Sequence, residues 1–304
     1  MKILVTGGAG FIGFHFCNKI LQNKKLNIFG ISRGINPSLE CVNYAGDVTN
    51  LDTLHNIMSS KNIDTVIHLA GKAIVSECEE SPFDAFKING LGTAAVLEAS
   101  RITHVKKIIS VETDKVYGIQ KIMPTPETSK LHAGSPYEFS KVLSSKISDF
   151  YRNYYKMNII SVRPANLIGG EDHNTTRIMP NAFKHILEGK SIPIYEEAKK
   201  MTRDFIYVSD VAEALYILSI NNNKHCKYNL SPNKKINIFE FGKLINKTLN
   251  YKIPPKIIKK SINFTEIPHQ SIDGSLFKKE YNFKYTDLKT IIKKSFLEYK
   301  KPVI

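Results

Sequence analysis

The most constraining feature of the sequence is its start, where a short apolar run leads directly into a glycine-rich turn. Residues 3–6 have the composition of a buried strand, and Gly7, Gly10 and Gly13 follow before a helical pattern begins. In such a turn the first glycine makes the tight bend, the second lets backbone amides approach a pyrophosphate, and the third lets the helix pack on the strand. An ordinary turn is the alternative, but the position between strand and helix predicts a dinucleotide site at the helix N-terminus. The predicted contacts are Gly7, Gly10, Phe11, Ile12 and Gly13.

Strand-like and helix-like patterns alternate through the first half of the chain. Strands are predicted at residues 3–6, 27–31, 65–69, 107–111 and 159–163. Helices are predicted at residues 12–22, 51–59, 84–103 and 136–155. This alternation is typical of βαβ units and predicts an α/β fold with a Rossmann-type, doubly wound parallel sheet.

The second half of the chain is more mixed and predicts a smaller α/β C-terminal domain. Further helices are predicted at residues 179–188, 208–219, 238–249 and 286–299. No repeat, low-complexity block or obvious linker separates the two halves. We predict a first domain at residues 1–164 and a second at residues 165–304, with part of 205–222 returning to the first.

The basic excess is concentrated near the C-terminus. The chain carries 43 Lys and Arg against 28 Asp and Glu, a formal charge of +15, and 18 Lys, no Arg and six acidic residues follow from Asn223 onward. Nucleic-acid binding needs cations clustered on one face, often as Arg forks, whereas these Lys alternate with Ile, Phe and Asn. In the last helix, Ile291 and Ile292 belong to an apolar stripe, and Lys293 and Lys294 fall on other faces. We therefore expect a solvated surface, no nucleic-acid partner, and a field that attracts a small anionic substrate.

Membrane, secretory and metal-binding signals are missing from the sequence. No apolar run approaches the roughly 18 residues of a membrane span, and the start lacks the apolar core of a signal peptide. Cys17, Cys41, Cys78 and Cys226 have no paired spacing and no His in ligand register. We expect a cytoplasmic protein with reduced thiols, no metal site and no membrane partner.

The ends of the second and third strands bear on the choice of dinucleotide. An acidic residue at the second strand end hydrogen-bonds the adenosine ribose of NAD, whereas an Arg accommodates the 2′-phosphate of NADP. The sequence has Ser32 and Arg33 and no carboxylate, which favours NADP. In the alternative, Arg33 lies over the adenine or in solvent and NAD binds through the main chain. Asp47 and Val48 follow at the adenine position, although Asp47 is equally suited to capping a loop.

Tyr137 and Lys141 form the strongest catalytic signal. Their i, i+4 spacing places them on one face of the predicted helix at residues 136–155. A neighbouring ammonium stabilises a phenolate, so it lowers the pKa of a tyrosine and makes the side chain a usable base. Thr113 follows the preceding strand at the sheet edge where ligands bind, and its hydroxyl suits the same substrate oxygen. An exposed helix pair is the alternative.

Further motifs follow in order along the chain. They are His68-Leu69-Ala70-Gly71, Asn89-Gly90-Leu91-Gly92-Thr93, Arg163-Pro164-Ala165-Asn166 and Arg203-Asp204-Phe205. With the glycine-rich start and the Tyr137–Lys141 pair, these motifs resemble the extended short-chain dehydrogenases that act on nucleotide sugars, the NAD-dependent epimerase/dehydratase family. The resemblance runs from residue 1 to about residue 300. It implies a tightly bound NAD or NADP, contacted also by Leu69, Ala70, Gly71, Tyr137 and Lys141.

The triplet Thr113-Asp114-Lys115 resembles that of CDP-glucose 4,6-dehydratases, and so does the loop at residues 167–173 with Arg177 after it. Arg203-Asp204-Phe205 has the general form of the family, and the end of the second strand is closer to the GDP-mannose dehydratases. The resemblance implies that Tyr137 deprotonates a sugar 4-hydroxyl while the C4 hydride moves to the nicotinamide. Lys115 then removes the C5 proton and Asp114 expels the 6-hydroxyl as water. A structural Asp114–Lys115 ion pair is the alternative.

The predicted activity is that of a nucleotide-sugar 4,6-dehydratase. A 4-epimerase, 4-reductase or 4-dehydrogenase of the same family is the alternative within the enzymes, and a dinucleotide-binding sensor or scaffold is the alternative outside them. The resemblance implies that a nucleotide-diphosphate sugar contacts Asn166, Arg177 and Arg203, with the guanidinium groups on the phosphates. Helices at residues 85–101 and 137–155 resemble the four-helix interface of a homodimer. His68 and His173 are assigned no role.

Overall fold

The computed structural model describes residues 1–23, 25–34, 39, 41–172, 174–259 and 267–300 of the 304-residue chain. His173 lies outside the described residues. The chain divides into two compact units. The first consists of Met1–Gly118, Glu127–Pro164 and Val211–Tyr228. The second consists of Ile119–Pro126, Ala165–Asp210 and the described part of Asn229–Ile304.

The first unit alternates strands and helices. Its elements in chain order are β1 (Lys2–Thr6), α1 (Phe11–Leu21), β2 (Asn27–Ser32), β3 (Val42–Ala45), α2 (Leu51–Lys61), β4 (Thr65–His68), α3 (Val75–Glu80), α4 (Pro82–Ala85), a π-helical turn (Phe86–Leu91), α5 (Gly92–Ile102), β5 (Lys107–Val111), a 3₁₀ turn (Asp114–Tyr117), α6 (Pro136–Tyr154) and β6 (Ile159–Pro164). Later in the chain, α8 (Val208–Ile220) and β10 (Lys227–Leu230) each have residues in both units.

The sheet of the first unit has seven strands in the order β10-β6-β5-β4-β1-β2-β3. The pairs from β6 through to β3 are parallel. The chain builds outward from β1 in one direction through β2 and β3, and then in the other through β4, β5 and β6. The carboxyl ends of β1 and β4 therefore flank a topological switch point, where doubly wound folds bind ligands. This observation confirms the predicted fold class.

The core of the first unit explains why its strands read as apolar runs rather than alternating patterns. Every residue of β4 and of β6 is buried, because helices cover both faces of the parallel sheet. One core cluster joins Leu4, Val66 and Ile108 of the sheet to Leu54 of α2 and Val96 of α5. Burying each such side chain contributes roughly 1.5–3 kcal/mol.

The second unit contains smaller sheets. Its remaining elements are β7 (Asn166–Ile168), α7 (Ile178–Leu187), β8 (Pro193–Tyr195), a 3₁₀ turn (Glu197–Lys200), β9 (Thr202–Tyr207), β11 (Lys235–Asn237), α9 (Ile238–Thr248), β12 (Lys256–Ile258), α10 (Ser275–Glu280) and α11 (Leu288–Tyr299). One sheet has the order β11-β9-β7, with β7 parallel and β11 antiparallel to β9. The other pairs β12 with β8 in parallel.

The limits of the two units differ from the predicted domains at one internal segment. Residues 119–126 fall in the second unit, because Thr125 forms a parallel bridge with Ile272. The N–H of Thr125 donates to the carbonyl of Ser271 at 2.9 Å, and the N–H of Asp273 donates to the carbonyl of Thr125 at 2.9 Å. The segment that returns to the first unit is Val211–Tyr228, which includes residues 211–222 of the predicted range 205–222 and extends six residues beyond it. Pairing across more than 140 residues leaves no local signal in the sequence.

The single helix predicted at residues 84–103 is wrong in detail. The structure breaks it into α4, the π-helical turn and α5. The wider turn contains Asn89, which is buried and bonds to another helix, as described below. Apolar periodicity did not reveal this turn, because one extra residue in a helical turn hardly disturbs the pattern.

The lysine-rich C-terminal helix has the predicted amphipathic character. Ile291 and Ile292 of α11 are buried, whereas Lys289, Lys293 and Lys294 are exposed. Among the described residues, no helix is long and apolar enough to cross a membrane. In the same part of the chain, no group of His, Cys, Asp and Glu is arranged to hold a metal ion.

Candidate active site

The glycine-rich turn between β1 and α1 is packed too tightly for side chains. Gly7 has φ +73°, and a Cβ there would lie 2.9 Å from the backbone nitrogen of Ala70. A Cβ on Gly13 would lie 2.2 Å from the carbonyl oxygen of Gly7. Gly10 begins α1 without a side-chain cap from the described residues. A helix N-terminus that lacks a side-chain cap is suited to an anion such as a phosphate.

Ser32 and Asp47 bind to backbone on this side of the sheet. The hydroxyl of Ser32 accepts a hydrogen bond from the N–H of Ala9 at 3.0 Å and so supports the glycine-rich turn. The carboxylate of Asp47 accepts from the N–H and the hydroxyl of Thr49 at 2.8 and 2.9 Å. These bonds, and the charge of Arg33, hold the pKa of Asp47 below its usual value. Asp47 therefore caps a turn, and its contact with adenine stays a prediction, as does that of the buried Val48.

A buried histidine connects the glycine-rich turn to the helices behind the sheet. His68 Nδ1 is 2.7 Å from the hydroxyl of Thr6, and His68 Nε2 is 3.1 Å from that of Thr93. Thr93 donates its own proton to the carbonyl of Asn89 at 2.6 Å, so Nε2 of His68 must be the donor to Thr93. Nδ1 then accepts from Thr6, whose oxygen also accepts from the N–H of Ala70 at 3.2 Å. Burial, and then the charge of Lys141, lower the pKa of His68 to about 3, so the ring is neutral.

The sequence had assigned His68 no role, and the structure makes it a positioning residue for the turn. The signal that would have suggested this is the histidine's place in a strand that is otherwise apolar. A polar side chain buried at a strand end needs partners, and such residues are held in networks.

Asn89 of the π-helical turn reaches the helix that carries Tyr137. Its Oδ1 accepts from the N–H of Lys72 at 2.8 Å, and its Nδ2 donates to the carbonyl of Lys72 at 3.1 Å. Nδ2 also donates to the hydroxyl of Ser140 at 2.8 Å, and Ser140 donates to the carbonyl of Tyr137 at 2.7 Å. Asn89 thereby ties the loop after β4 to the first turn of α6.

Tyr137 and Lys141 lie in the first two turns of α6, and both are buried, with exposures of 6% and 8%. Helix α6 begins where Ser135 accepts a hydrogen bond from the N–H of Glu138 at 3.3 Å. A Cβ on Gly71 would lie 3.3 Å from Nζ of Lys141, so the loop after β4 passes directly over the lysine. Burial lowers the pKa of Lys141, and the charge of Glu112 opposes that effect.

Thr113, Asp114 and Lys115 start the 3₁₀ turn after β5, which packs against α6. The hydroxyl of Thr113 donates to the carboxylate of Asp114 at 3.2 Å and accepts from the N–H of Lys115 at 3.3 Å. Asp114 is buried, whereas Lys115 is half-buried. The five candidate catalytic residues, Thr113, Asp114, Lys115, Tyr137 and Lys141, therefore all belong to the first unit.

The three candidate substrate contacts all belong to the second unit. Asn166 is the first residue of β7. Arg177 directly precedes α7, and its Nη1 donates to the buried carboxylate of Asp172 at 3.1 Å. Arg203 in β9 is buried, and its Nη1 donates to the carbonyls of Thr202 and Pro268 at 3.0 and 3.1 Å. Each guanidinium is thus hydrogen-bonded to other residues of the second unit.

A family model supports the reading of these features. The model described as the NAD dependent epimerase/dehydratase family matches residues 3–231. The chain belongs to this family. The family is NAD-dependent, and the glycine-rich turn of the first unit stays the predicted dinucleotide site.

The relatives of this family member include both dehydratases and epimerases. The chain is 27% identical over 265 residues to the trifunctional UDP-glucose 4,6-dehydratase/UDP-4-keto-6-deoxy-D-glucose 3,5-epimerase/UDP-4-keto-L-rhamnose-reductase of Arabidopsis thaliana, covering 82% of this chain and 39% of that protein. It is 30% identical over 259 residues to a putative UDP-glucose 4-epimerase of Methanocaldococcus jannaschii, covering 82% and 83%. The crystal structure of UDP-glucose 4-epimerase with UDP-glucose from Thermotoga maritima superimposes with a TM-score of 0.91 at 25% identity, covering 99% of both chains.

The matches differ in how much of each relative they cover. The chain spans about two fifths of the length of the plant trifunctional proteins. The enzymes of this family act on nucleotide sugars as dehydratases and epimerases, and the exact reaction is a separate question.

Proposed function

We propose that this protein is a nucleotide-sugar 4,6-dehydratase. The observation that carries the proposal is the 3₁₀ turn after β5, which packs against the helix of Tyr137 and Lys141. In this turn the buried Asp114 accepts a hydrogen bond from Thr113, and Lys115 follows it in the chain. A dehydratase needs an acid and a base besides the group that deprotonates the 4-hydroxyl. Asp114 and Lys115 supply that additional pair beside the Tyr137–Lys141 pair.

The glycine-rich turn fits a nicotinamide dinucleotide, since a Cβ on Gly7 or Gly13 would collide with the backbone of Ala70 or of Gly7, and only glycines allow the turn and the helix end to pack this closely. The chemistry that this group would supply when bound is to accept the hydride from C4 of the sugar and to return it to C6 after water has left. Arg33 by itself favours NADP, but we propose NAD, because the charge of Arg33 already acts on the carboxylate of Asp47. That carboxylate would repel a 2′-phosphate. Comparing the affinities for the two dinucleotides tests this choice.

Oxidation at C4 begins with a proton transfer to Tyr137. Its phenolate takes the proton of the sugar 4-hydroxyl, and the ammonium of Lys141 stabilises the phenolate beforehand. Thr113 orients the same oxygen. In the structure the proton of Thr113 is donated to Asp114, so protonation of Asp114 would release the threonine proton for the substrate.

Elimination of water follows once C4 is a ketone, because the ketone acidifies the proton on C5. Lys115, as the free amine, takes that proton, and the electron pair forms the C5–C6 double bond. Asp114, as the acid, gives its proton to the departing 6-hydroxyl, which leaves as water. This step needs Asp114 in its protonated form, and Asp114 is buried at the start of the 3₁₀ turn.

The second candidate function is a 4-epimerase, which the 30% identity to a putative UDP-glucose 4-epimerase favours. An epimerase would use Tyr137, Lys141 and Thr113 in the same way and would not need Asp114 or Lys115. The substrate of either enzyme is a nucleotide-diphosphate sugar, for which Arg177 and Arg203 provide phosphate donors and Asn166 an amide.

We further propose a homodimer formed through an apolar patch on α6 and the neighbouring π-helical turn. The patch consists of Leu91, Phe139, Phe150 and Tyr154, which are exposed by 54%, 51%, 54% and 70%. The rings of Phe150 and Tyr154 stack with centroids 5.4 Å apart. Several large exposed apolar side chains on neighbouring elements are typical of a protein interface.

The proposed reaction is tested by incubating the protein with UDP-glucose, dTDP-glucose, CDP-glucose and GDP-mannose and following the products by mass. Loss of one water supports dehydration, and an isomer of unchanged mass indicates epimerisation. Tyr137→Phe should abolish turnover of every sugar. Asp114→Asn and Lys115→Met should stop water loss while bound reduced dinucleotide accumulates. Lys146→Met, at an exposed lysine of α6, serves as the control. Unchanged water loss in Asp114→Asn and Lys115→Met would remove both from the mechanism.

A further inference from the structure

The loop that follows β4 lies against both the glycine-rich turn and the helix of Tyr137. A Cβ on Gly7 of the turn would lie 2.9 Å from the backbone nitrogen of Ala70 in this loop. A Cβ on the next residue, Gly71, would lie 3.3 Å from Nζ of Lys141. Two consecutive residues of one loop are therefore in close contact with the turn and with α6.

His68 is the last residue of β4 and makes a second connection at the start of the same loop. Its Nδ1 is 2.7 Å from the hydroxyl of Thr6, which ends β1 directly before Gly7. The oxygen of Thr6 also accepts from the N–H of Ala70 at 3.2 Å. On the other side of the ring, Nε2 is 3.1 Å from the hydroxyl of Thr93 in α5. The imidazole therefore spans from the strand that leads into the turn to a helix behind the sheet.

Thr93 connects the imidazole to α6 in two ways. Its hydroxyl oxygen is 2.7 Å from that of Ser144 in α6, and its proton is donated to the carbonyl of Asn89 at 2.6 Å. Nδ2 of Asn89 donates to the hydroxyl of Ser140 at 2.8 Å, and Ser140 donates to the carbonyl of Tyr137 at 2.7 Å. Side-chain hydrogen bonds therefore run from the end of β1 to the backbone of Tyr137.

The direction of the hydrogen bonds around the imidazole is fixed. Thr93 gives its proton to a carbonyl, so its oxygen accepts from both Nε2 of His68 and the hydroxyl of Ser144. Nδ1 of His68 is then the acceptor for Thr6. Because each nitrogen has one role, losing the bond at one side of the ring leaves a buried polar group unpaired, which is costly.

These polar groups lie in a part of the molecule where apolar side chains would pack as well. Thr6, His68 and Thr93 are all buried. Burying polar groups carries a desolvation cost that apolar side chains of similar size avoid. A fully bonded polar network instead fixes the relative position of the elements it joins. Its elements here are the strand before the turn and the helices α5 and α6.

We infer that His68 is a positioning residue that couples the glycine-rich turn to the helix of Tyr137, so that a dinucleotide bound at the turn also fixes the placement of Tyr137. The inference rests on the proposed dinucleotide site and on the proposed role of Tyr137. Coupling between two sites is reciprocal, so a change on the helix side of the imidazole must alter the affinity for the dinucleotide.

A double-mutant cycle across the imidazole tests the coupling. Thr6→Val removes the hydroxyl on the turn side, and Thr93→Val removes the hydroxyl on the helix side. Valine has nearly the shape of threonine, so both changes keep the packing. The dissociation constant of NAD is measured by calorimetric titration for the full-length wild type, the two single variants and the double variant.

Each single variant should raise the dissociation constant about fivefold, and the double variant should raise it no further than one single variant does. Independent residues would instead multiply their effects. In His68→Phe, which fills the space without hydrogen bonds, adding Thr93→Val should leave the constant unchanged. Multiplying effects of Thr6→Val and Thr93→Val, or an effect of Thr93→Val that persists in His68→Phe, would overturn the inference.

Turnover at saturating NAD distinguishes coupling from a merely structural role. Thr6→Val should lower kcat about fivefold for the nucleotide sugar that is converted in the panel above, because Tyr137 is misplaced even when the turn is occupied. A Thr6 that supports only the turn would leave kcat unchanged, which contradicts the coupling. Ser100→Ala is the matched control on α5, since the hydroxyl of Ser100 donates to the carbonyl of Val96 at 2.7 Å, and it should change neither constant.

The outcomes separate this inference from the proposed function. If the wild type binds neither NAD nor NADP, the proposed dinucleotide site fails and the inference falls with it. If Tyr137→Phe keeps its turnover, the proposed role of Tyr137 fails, while the cycle still decides the coupling. If NAD binds and Tyr137→Phe is inactive but the two threonines act independently, only the role of His68 fails.

Thr93→Ser decides the question should His68→Phe not fold. Serine keeps the hydroxyl that accepts from Nε2 of His68, so this variant should restore the wild-type dissociation constant and kcat. A Thr93→Ser variant that behaves like Thr93→Val would show that the methyl group, rather than the hydrogen bond to His68, is what matters, and would overturn the inference.

Discussion

A Cβ on Gly13 would lie 2.2 Å from the carbonyl oxygen of Gly7 and 2.7 Å from the Cα of Gly8. The first turn of α1 thus rests directly on the backbone of the glycine-rich turn. The amides at the helix end can approach a diphosphate only while that close contact persists. We therefore expect Gly13 to support dinucleotide binding through the packing of the backbone.

Gly13→Ala should weaken NAD binding and lower stability together. The added methyl group must displace backbone, which we expect to lower the free energy of unfolding by about 2 kcal/mol. Calorimetric titration with NAD and thermal unfolding measure the two effects. Gly34→Ala is the control, because a Cβ there meets nothing within 4 Å among the described residues. Wild-type NAD affinity in Gly13→Ala would contradict the contact.

His68 should make the protein less stable in mild acid. Its pKa is about 3 in the folded protein, because of burial and then Lys141, and about 6.5 in an unfolded chain. The unfolded state therefore binds the extra proton first, so the stability is full above pH 6.5 and falls as the pH drops toward 3. Between pH 6 and pH 4 this should remove about 2 kcal/mol of the free energy of unfolding.

Denaturant unfolding at the two pH values measures the effect of His68. The difference between them should shrink in His68→Gln, which cannot take up the proton. His225→Gln, at an exposed position, should keep the wild-type difference. Equal pH dependence in wild type and His68→Gln would show that other groups carry the acid sensitivity.

Arg177 should contribute to substrate affinity more than to turnover. Its Nη1 is hydrogen-bonded to Asp172, and the side chain is 35% exposed, so a phosphate from solvent can approach the guanidinium. Arg177→Gln should raise KM for the active nucleotide sugar about tenfold, while kcat changes less. Lys243→Gln removes an exposed cation of the same unit and should leave both constants unchanged. A fall in kcat alone would place Arg177 outside the phosphate contacts.

The apolar patch on α6 should hold two copies of the chain together. Phe150→Asp puts a charge at a ring that is 54% exposed, and a buried carboxylate without a partner is unfavourable in an interface. Sedimentation should give the mass of a dimer for the wild type and of a monomer for the variant. Leu297→Asp is the matched control, because Leu297 is an apolar residue with 65% exposure on α11. A dimer that survives Phe150→Asp would exclude this patch.

Local patterns were enough to predict most of the first unit. The strands and helices near the glycine-rich turn were predicted within a few residues, because buried parallel strands and amphipathic helices leave direct periodic signals. The same signals failed at the π-helical turn of residues 86–91 and at Thr125, whose strand partner is Ile272. Neither feature depends on the composition of its own segment.

In the candidate site, too, the features set by local sequence were predicted and those set by long-range contacts were not. The i, i+4 spacing of Tyr137 and Lys141 was visible in the sequence, since residues on one helical face are set by the helix itself. Two hydrogen-bonded pairs, Asn89 with Ser140 and Glu112 with Arg163, each join residues that lie 51 positions apart in the chain. Such pairs exist only after the sheet has set which strand end faces which helix.

The sequence by itself determined the order of strands and helices in the first unit, the positions of the glycines in the turn after β1, and the shared face of Tyr137 and Lys141 on α6. Those features follow from backbone conformation and side-chain periodicity, which neighbouring residues control. The tertiary structure decided that His68 is buried and uncharged, and that Asn89 is hydrogen-bonded to Ser140 in the helix of Tyr137. It also decided that Glu112 forms a buried ion pair with Arg163. Burial and long-range hydrogen bonds arise from the packing of distant segments, and only the folded chain brings those segments together.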